Sequence, residues 1–392
     1  MQSPVAILSA RRTPIGGLVG SLSSVPVTAL GSAVIRSAVD DSGLTNDAID
    51  ELLMGCVLTA GVGQAPARQA ALAANLSDNT SCSTIQKVCG SGMKAVMLAC
   101  NSLRSGQVQS AVAGGMESMS RAPHLLPDAR RGYRFGAATM TDHMQFDGLQ
   151  DAYQSVPMGN FAEHCAQRYA FTREQQDRYA LESLCRANVA ISEGLFVGET
   201  TPVMVSSRSG EICVDQDEQP GRAKAEKIPH LKPAFRKDGT VTAANASSIS
   251  DGAAALTLMM ADRAEQQGLR PIALIHAYDD AAHEPEWFTT APVSAISKTL
   301  KKVGWSVQDV DLWEINEAFA VVAMAAMQEL QIDHQRLNIH GGACALGHPI
   351  GASGARILVT LLHALKTRKL KRGIASVCIG GGEATAIAVE LV

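Results

Sequence analysis

The sequence predicts an α/β protein of two similar βα halves, the first interrupted by an inserted segment. Three observations carry this. Strand-length apolar runs end in Gly-rich turns that open directly into apolar helices, once around residues 84–92 and again around 340–356. The two places echo one another. Gly90-Ser91-Gly92 leads into an apolar helix and then SAVAGGMES, while Ala352-Ser353-Gly354 leads into ARILVTLLHAL and then ASVCIGGGEA. Between residues 120 and 244 the character changes, with Pro, Arg, Asp and Met frequent and strand signals thin. A chance recurrence of Gly-rich turns competes with the echo. Each half would nevertheless set a Gly-rich turn at the end of a strand, where open α/β sheets collect ligands.

Taken in order, residues 5–9 (VAILS) read as a buried strand ended by the turn-rich 11–17. Residues 30–39 read as a helix, and 47–53 as a short one capped by Thr45, with a strand at 54–58. An Ala-rich helix follows at 65–74, then a β-compatible run before Cys89, an apolar helix over 93–103 and a strand at 110–116. The insert begins loop-like and then carries two helical segments, the second capped by Thr172 with Glu174 and Gln175 in its first turn. A connection of this length between core elements is usually a lid or binding loop. Strands are expected at 256–260 and 272–278, a helix at 293–303, a short strand at 312–314 and an apolar helix at 318–330. After the Gly-rich turn and helix start at 340–356, a strand at 376–379 ends in glycines and the chain returns through 385–391. The expected units are residues 1–119 with 245–270, the insert 120–244, and 271–392.

Composition narrows the function classes. The chain has 392 residues, 46% of them hydrophobic but only 4% aromatic, which suits closely layered elements with small side chains between them. A net charge of −4 argues against a nucleic-acid binder. The nine cysteines are odd in number and lack CxxC spacing, so neither zinc nor a disulfide framework is expected. Reduced thiols in a cytoplasm-like compartment fit better. The first apolar run is too short for a secretory signal, and no segment offers about 20 uninterrupted apolar residues for a membrane span.

The chemistry centres on residues 84–95, TIQKVCGSGMKA. A thiol on a strand-to-helix turn faces the free N–H groups and positive dipole end of the helix. That environment lowers a thiol pKa and suits covalent acyl transfer. A buried structural cysteine before a tight turn is the competing account. Asn316 in NEAFA reads alternatively as the N-cap of a helix running from Glu317 to Leu330. His348 in GHP reads as a turn histidine, and Cys378 in CIGGG as core filler.

Together these four stretches resemble the thiolase family, its acetyl-CoA acetyltransferase branch most of all. SARRTPIGG, GGMESMS, NAS..SDGAAA and HPIGASGAR extend the likeness nearly end to end. The resemblance implies a thiolase-like fold, two βα halves in a layered αβαβα arrangement with an inserted loop domain for CoA binding and oligomer contacts. It implies Cys89 as the acyl-accepting nucleophile and His348 as the base that takes its proton. Cys378 would be the thiol that removes the α-proton of acetyl-CoA. Asn316, through a water, and His348 would stabilise the enolate oxygen, and the N–H groups of Cys89 and Gly380 the tetrahedral oxyanion. Coenzyme A is the implied thiol carrier, with Ser247, Ala246 and Ile249 against pantetheine, walls from Leu149 and Met158, and Phe288 and Phe319 at the acyl pocket. Arg222, with Lys224 and Lys227, would meet the phosphates, unless these charges form a solvated face. Cys344 would line the pocket, and Cys82 and Cys100 read as core residues or as residues packed just behind the site.

Departures from the family's pattern are Gln86 for Asn, Pro157 for His, Ser248 for Gly, Phe288 for Met and Glu383 for a small or apolar residue. None removes a reactive group. Phe288, by volume, implies a short or α-substituted acyl chain. The expected activity is reversible, ping-pong condensation of two acetyl-CoA to acetoacetyl-CoA plus CoA, without metal or redox cofactor, in a cytoplasmic homotetramer or homodimer. Its rivals are a degradative 3-ketoacyl-CoA thiolase for longer chains and a non-catalytic acyl-CoA-binding protein on the same fold. A ketosynthase-like condensing enzyme would lack the second reactive cysteine, so Cys378 argues against it.

Overall fold

The computed structural model describes residues 4–208 and 210–392. Its first half is built from β1 (Val5–Arg12), α1 (Val27–Ser42), β2 (Glu51–Gly55), α2 (Pro66–Ala73), β3 (Ser81–Ile85), α3 (Ser91–Arg104) and β4 (Ser110–Ser118). An insert with α4 (Gly159–Arg168), α5 (Arg173–Ser192) and two short hairpins follows, and β5 (Ser250–Met260) closes this half. The second half holds β6 (Ala273–Ala282), α6 (Ala291–Val303), β7 (Leu312–Ile315), α7 (Ala320–Leu330), α8 (Ile350–Arg368), β8 (Arg372–Ile379) and β9 (Glu383–Leu391).

The strand path is β3-β2-β4-β5-β1-β6-β9-β8-β7, with Gly16–Gly17 pairing beside β5. The echo in the sequence is an echo in topology. β1-β5-β4-β2 and β6-β9-β8-β7 have the same order, with antiparallel, antiparallel and parallel neighbours in each. The two sets join edge to edge where Val5–Ile7 pairs with Ala273–Ile275.

Layering follows from which faces are apolar. α3 and α8 pack on each other, α8 touching β4 and β5 on one side and β7 and β8 on the other. α1 and α2 cover the outer face of the first half, and α6 covers β6, β8 and β9 with α7 beside it. Fifteen of the nineteen residues of α8 are buried, as a helix covered on both faces must be. The central core gathers Met93, Val96, Leu358, Val359 and Leu362 against Leu256, Ile275, Val377 and Val389.

Three local expectations need correction. Residues 47–53 are not a helix. Asn46–Ala48 make a single 3-10 turn, Thr45 caps nothing with its side chain, and Glu51–Gly55 is a strand. Its apolar run is needed between β3 and β4, both parallel to it, so tertiary pairing overrides a weak helical signal. β1 runs on to Arg12, whose guanidinium is wholly buried between Asp217 and Glu199. Asn316 caps no helix. α7 starts at Ala320 after an extended Phe319, and the Asn316 N–H continues the β7–β8 ladder by donating to the Ser376 carbonyl at 2.9 Å. The Thr172 capping box on α5 is present, with Gln175 as its second member.

Candidate active site

The nucleophile turn lies between β3 and α3. Val88, just before Cys89, has φ of 43°, a left-handed conformation that costs a β-branched residue about 1–3 kcal/mol. Ser91 Oγ holds the turn shut, accepting from the Lys87 N–H at 2.8 Å and donating to the Val88 carbonyl at 2.7 Å. The helix start does not make this thiol acidic. Burial pushes Cys89 up to about 11, the N–H groups of Gly380 and of Cys89 itself pull it down, and the Glu117 charge pushes it up. Desolvation of the sulfur outweighs the donors, so the resting group is a thiol that needs a base.

His348 stands at the matching place in the second half, one residue before the Pro349 that precedes α8. The two helix starts approach closely because small residues line the contact. A Cβ on Gly354 would fall 2.6 Å from the Met93 nitrogen, and one on Gly92 would fall 3.0 Å from the Gly351 oxygen. Burial, then the Arg356 guanidinium, pushes the His348 imidazole down to about 3, so it is neutral. Its Nδ1 lies 2.5 Å from Ser353 Oγ, which itself lies 2.9 Å from the Pro349 carbonyl. The hydroxyl donates its one proton to that carbonyl, so it accepts Nδ1–H and leaves the Nε2 lone pair bare. Asn316 Nδ2 is 3.4 and 3.5 Å from the two ring nitrogens, contact at the ring edge and not a short hydrogen bond.

Cys89, His348 and Gly380 line one cavity of about 530 Å³. Ala246, Ser247, Ile249, Leu149, Met158, Phe288 and Phe319 line it too, along with Pro157 and Ser248. The aromatic wall is a relay of edge-to-face rings, Phe288 to Phe319 at 6.2 Å and Phe319 to Phe235 at 5.9 Å. Cys378 does not line the cavity. It is fully buried behind it, two residues from Gly380, and burial together with the Cys89 sulfur holds its thiol well above the ordinary value, against the N–H groups of Cys378 and Ala318. Asn316 is likewise buried behind the wall, its Oδ1 without a protein partner. Arg222 lies away from the cavity and pairs with Glu218 at 2.5 Å, its side chain mostly exposed. Lys224 and Lys227 are exposed.

Cys344 does not line the cavity either. Its N–H donates to Glu317 Oε2 at 3.0 Å and its sulfur points at the Glu317 carbonyl. Glu317 is a buried keystone that also accepts from Tyr179, Ser183 and Asn338, each at 2.8 Å. It ties α5 of the insert to the loop that leads to His348.

Two residues of the site escaped the sequence reading. Ser353 orients His348. Glu117, pushed up to about 7 by burial, accepts from Val57, Leu58 and Gly351 and binds the loop after β2 to the start of α8. Both sit inside motifs already singled out, GGMES and HPIGASGAR, but neither motif says where a side chain points. Among the described residues no group of three or more His, Cys, Asp and Glu side chains could hold a metal ion, and no helix is long and apolar enough to cross a membrane. All nine cysteines are unpaired.

Comparison with known proteins agrees with this geometry. Residues 5–262 match the family model of the thiolase N-terminal domain, and 269–391 that of the C-terminal domain. Acetyl-CoA acetyltransferase 1 of Arabidopsis thaliana is 51% identical over 389 residues, 98% of this chain and 94% of that protein. The acetyl-CoA acetyltransferase of Cupriavidus necator is 48% identical over 98% of this chain and 99% of its own. Among solved structures, Acat5 thiolase from Ascaris suum in complex with coenzyme A superposes with a TM-score of 0.94 at 45% identity, covering 99% of this chain and 100% of that one. The Bacillus anthracis acetyl-CoA acetyltransferase superposes with a TM-score of 0.97 at 41% identity, covering 100% and 99%. Both halves of the chain, with the thiols and imidazole gathered between them, therefore belong to the thiolase family.

Proposed function

We propose that the protein is an acetyl-CoA C-acetyltransferase, joining two acetyl-CoA into acetoacetyl-CoA plus CoA and running the reverse thiolysis. The observation that supports this most is the convergence on one cavity of Cys89, a neutral His348 and the Gly380 N–H, with Cys378 directly behind. The near-full-length likeness to acetyl-CoA acetyltransferases supports the choice of substrate.

His348 Nε2 takes the Cys89 proton as the sulfur attacks the acetyl carbonyl, and the N–H groups of Cys89 and Gly380 receive the oxyanion. As the tetrahedral intermediate collapses, the departing CoA thiolate takes the Cys378 proton, leaving acetyl-Cys89, imidazolium and a Cys378 thiolate. Cys378 then removes the α-proton of a second acetyl-CoA, with the His348 Nε2–H and a water on Asn316 stabilising the enolate oxygen. The enolate carbon attacks acetyl-Cys89. Collapse expels the Cys89 thiolate, which recovers its proton from His348. The Cys89 proton returns to it through His348, Cys378 ends with the α-proton in place of the one that left on CoA, and the steps call for no metal or redox cofactor, the CoA thioesters being substrates.

The apolar walls from Ala246, Ile249, Leu149, Met158, Phe288 and Phe319 suit pantetheine and a short acyl group, with Ser247 as its polar contact. Arg222 would have to leave Glu218 to reach a phosphate. The insert suits subunit contact. Residues 125–145 expose Leu126, Tyr133, Phe135 and Met140, Phe135 completely, and such patches mark interfaces. A homotetramer or homodimer is proposed, and free thiols throughout fit a cytoplasmic setting.

Mixing the protein with carbonyl-labelled acetyl-CoA and mapping the label tests the reading. Acetyl on Cys89, with acetoacetyl-CoA released, is expected. Turnover favouring a long-chain 3-ketoacyl-CoA over acetoacetyl-CoA would replace it with the degradative alternative, and label bound without turnover with the acyl-CoA-binding one.

A further inference from the structure

Glu383 departs from the family's pattern, and the structure gives it a partner. It forms an ion pair with Lys87, two residues before Cys89. The two turns that carry the oxyanion donors lie against each other in opposite directions. Gly90 rests on the Ile379 side chain, whose Cδ1 lies 2.3 Å from where a Gly90 Cβ would stand. The Gly380 N–H reaches the Cys89 sulfur, and Val88 Cγ1 lies 3.7 Å from where a Gly380 Cβ would be. Lys87 and Glu383 are the outermost rung of this apposition. The two turns come from different halves of the chain, and in the second Gly381 and Gly382, with φ of +93° and +88°, contribute no side chain, so the turn is held by backbone alone, the Gly382 carbonyl accepting from the His283 N–H at 2.9 Å.

We propose that the Lys87–Glu383 ion pair is a clamp that holds the Cys89 and Gly380 N–H groups in register on one oxygen. Lys87 and Glu383 are thus positioning residues. The ion pair is part-exposed, with side chains 20% and 36% accessible. Such a pair contributes little to stability, so a loss of register on breaking it can be read without unfolding. The proposal rests on Cys89 as the acyl-accepting thiol.

The test uses Lys87→Met, Glu383→Gln and the exchanged double variant K87E/E383K in the full-length protein. Three quantities are measured: kcat and KM for acetoacetyl-CoA thiolysis, melting temperature, and the pH midpoint of Cys89 alkylation by iodoacetamide. A clamp predicts that each single variant loses about 10-fold in kcat at unchanged KM. That is less than the 10²–10³ lost with a whole oxyanion donor. Both single variants also raise the alkylation midpoint, because the Gly380 N–H no longer supports the thiolate, while melting stays put. The exchanged pair restores kcat and midpoint together. If Lys87 instead acted on the sulfur by its charge alone, Glu383→Gln would lower the midpoint while Lys87→Met raised it, and the exchanged pair would be the worst. That pattern, or single variants indistinguishable from the parent, overturns the clamp. Acetylation of Cys89 in the parent protein is read in parallel, and its absence overturns the function itself instead.

Discussion

Ser353 Oγ sits 2.5 Å from His348 Nδ1 and spends its own proton on the Pro349 carbonyl. The imidazole therefore has a set tautomer before any substrate arrives, and the nitrogen left bare is the one a base needs. Ser353→Ala leaves a buried Nδ1–H without a partner, at a cost of about 1–3 kcal/mol, and lets the other tautomer compete. The expected outcome is a fall in kcat of about 10–100-fold, the same energy expressed as rate. KM should hold and the acid limb of the pH–rate profile should move. An unchanged pH profile would show that Ser353 does nothing beyond filling space.

Cys378 and Cys89 are expected to separate by half-reaction. Cys378→Ala keeps the nucleophile, its base and both N–H donors, and CoA can depart as the thiolate without the Cys378 proton, so acetyl-CoA still acetylates Cys89, though more slowly. Condensation, which needs the α-proton removed, falls by about 10²–10⁴, the usual contribution of a positioned general base. Mass spectrometry of the Cys89 peptide alongside an acetoacetyl-CoA assay decides it. Normal condensation by this variant removes Cys378 from the mechanism.

The architecture was legible because the signals are repeated. Two Gly-rich turns open two apolar helices, and those helices are the central layer, so the echo pointed to the architecture, while the roles of Cys89 and His348 came from the resemblance to the thiolase family. The cavity wall was reached through the family resemblance, which pointed to residues 246–249 and Phe288, and these do line the cavity. What stayed hidden are contacts between distant segments. Nothing local in GGMES says that Glu117 will receive the Gly351 N–H, 234 positions away. Residues 47–53 were misread because an amphipathic six- or seven-residue run satisfies either period. The protonation state of Cys89 was misjudged for a related reason, since a motif reveals the helix start but not how much protein covers the sulfur.

Phe288, on the cavity wall, is the residue proposed to set acyl length. It is buried and braced by Phe319, so its ring cannot simply swing aside. Phe288→Ala should raise the preference for 3-ketohexanoyl-CoA over acetoacetyl-CoA, in kcat/KM, by at least about 10-fold, the scale of a methylene or two in an apolar pocket. It should also cost about 3–5 kcal/mol of stability, so Phe288→Leu provides a milder second point. Parallel selectivity in parent and variants would place the acyl limit elsewhere on the wall.

A neutral His348 also makes stability depend on pH in a definite direction. The folded imidazole is pushed down to about 3, while in the unfolded chain it titrates near about 6.5. Between those values the unfolded state binds a proton that the native state refuses, so stability rises with pH across the window and is lost as pH falls through it. By pH 5 the loss from this one residue is about 2 kcal/mol. Glu117 and Glu314, buried and pushed up to about 7 and about 8, act in the opposite sense over pH 4.5–8, so the parent alone is uninformative. The discriminating quantity is the difference in urea midpoint between parent and His348→Asn, measured from pH 7.5 to 4.5. It should shift steadily in favour of the variant as the solution is acidified, because asparagine has no proton to refuse. A difference that is flat across that range would mean His348 titrates in the native state as it does in the unfolded chain, and a shift in favour of the parent would mean it is held protonated, in which case it could not be the base that activates Cys89.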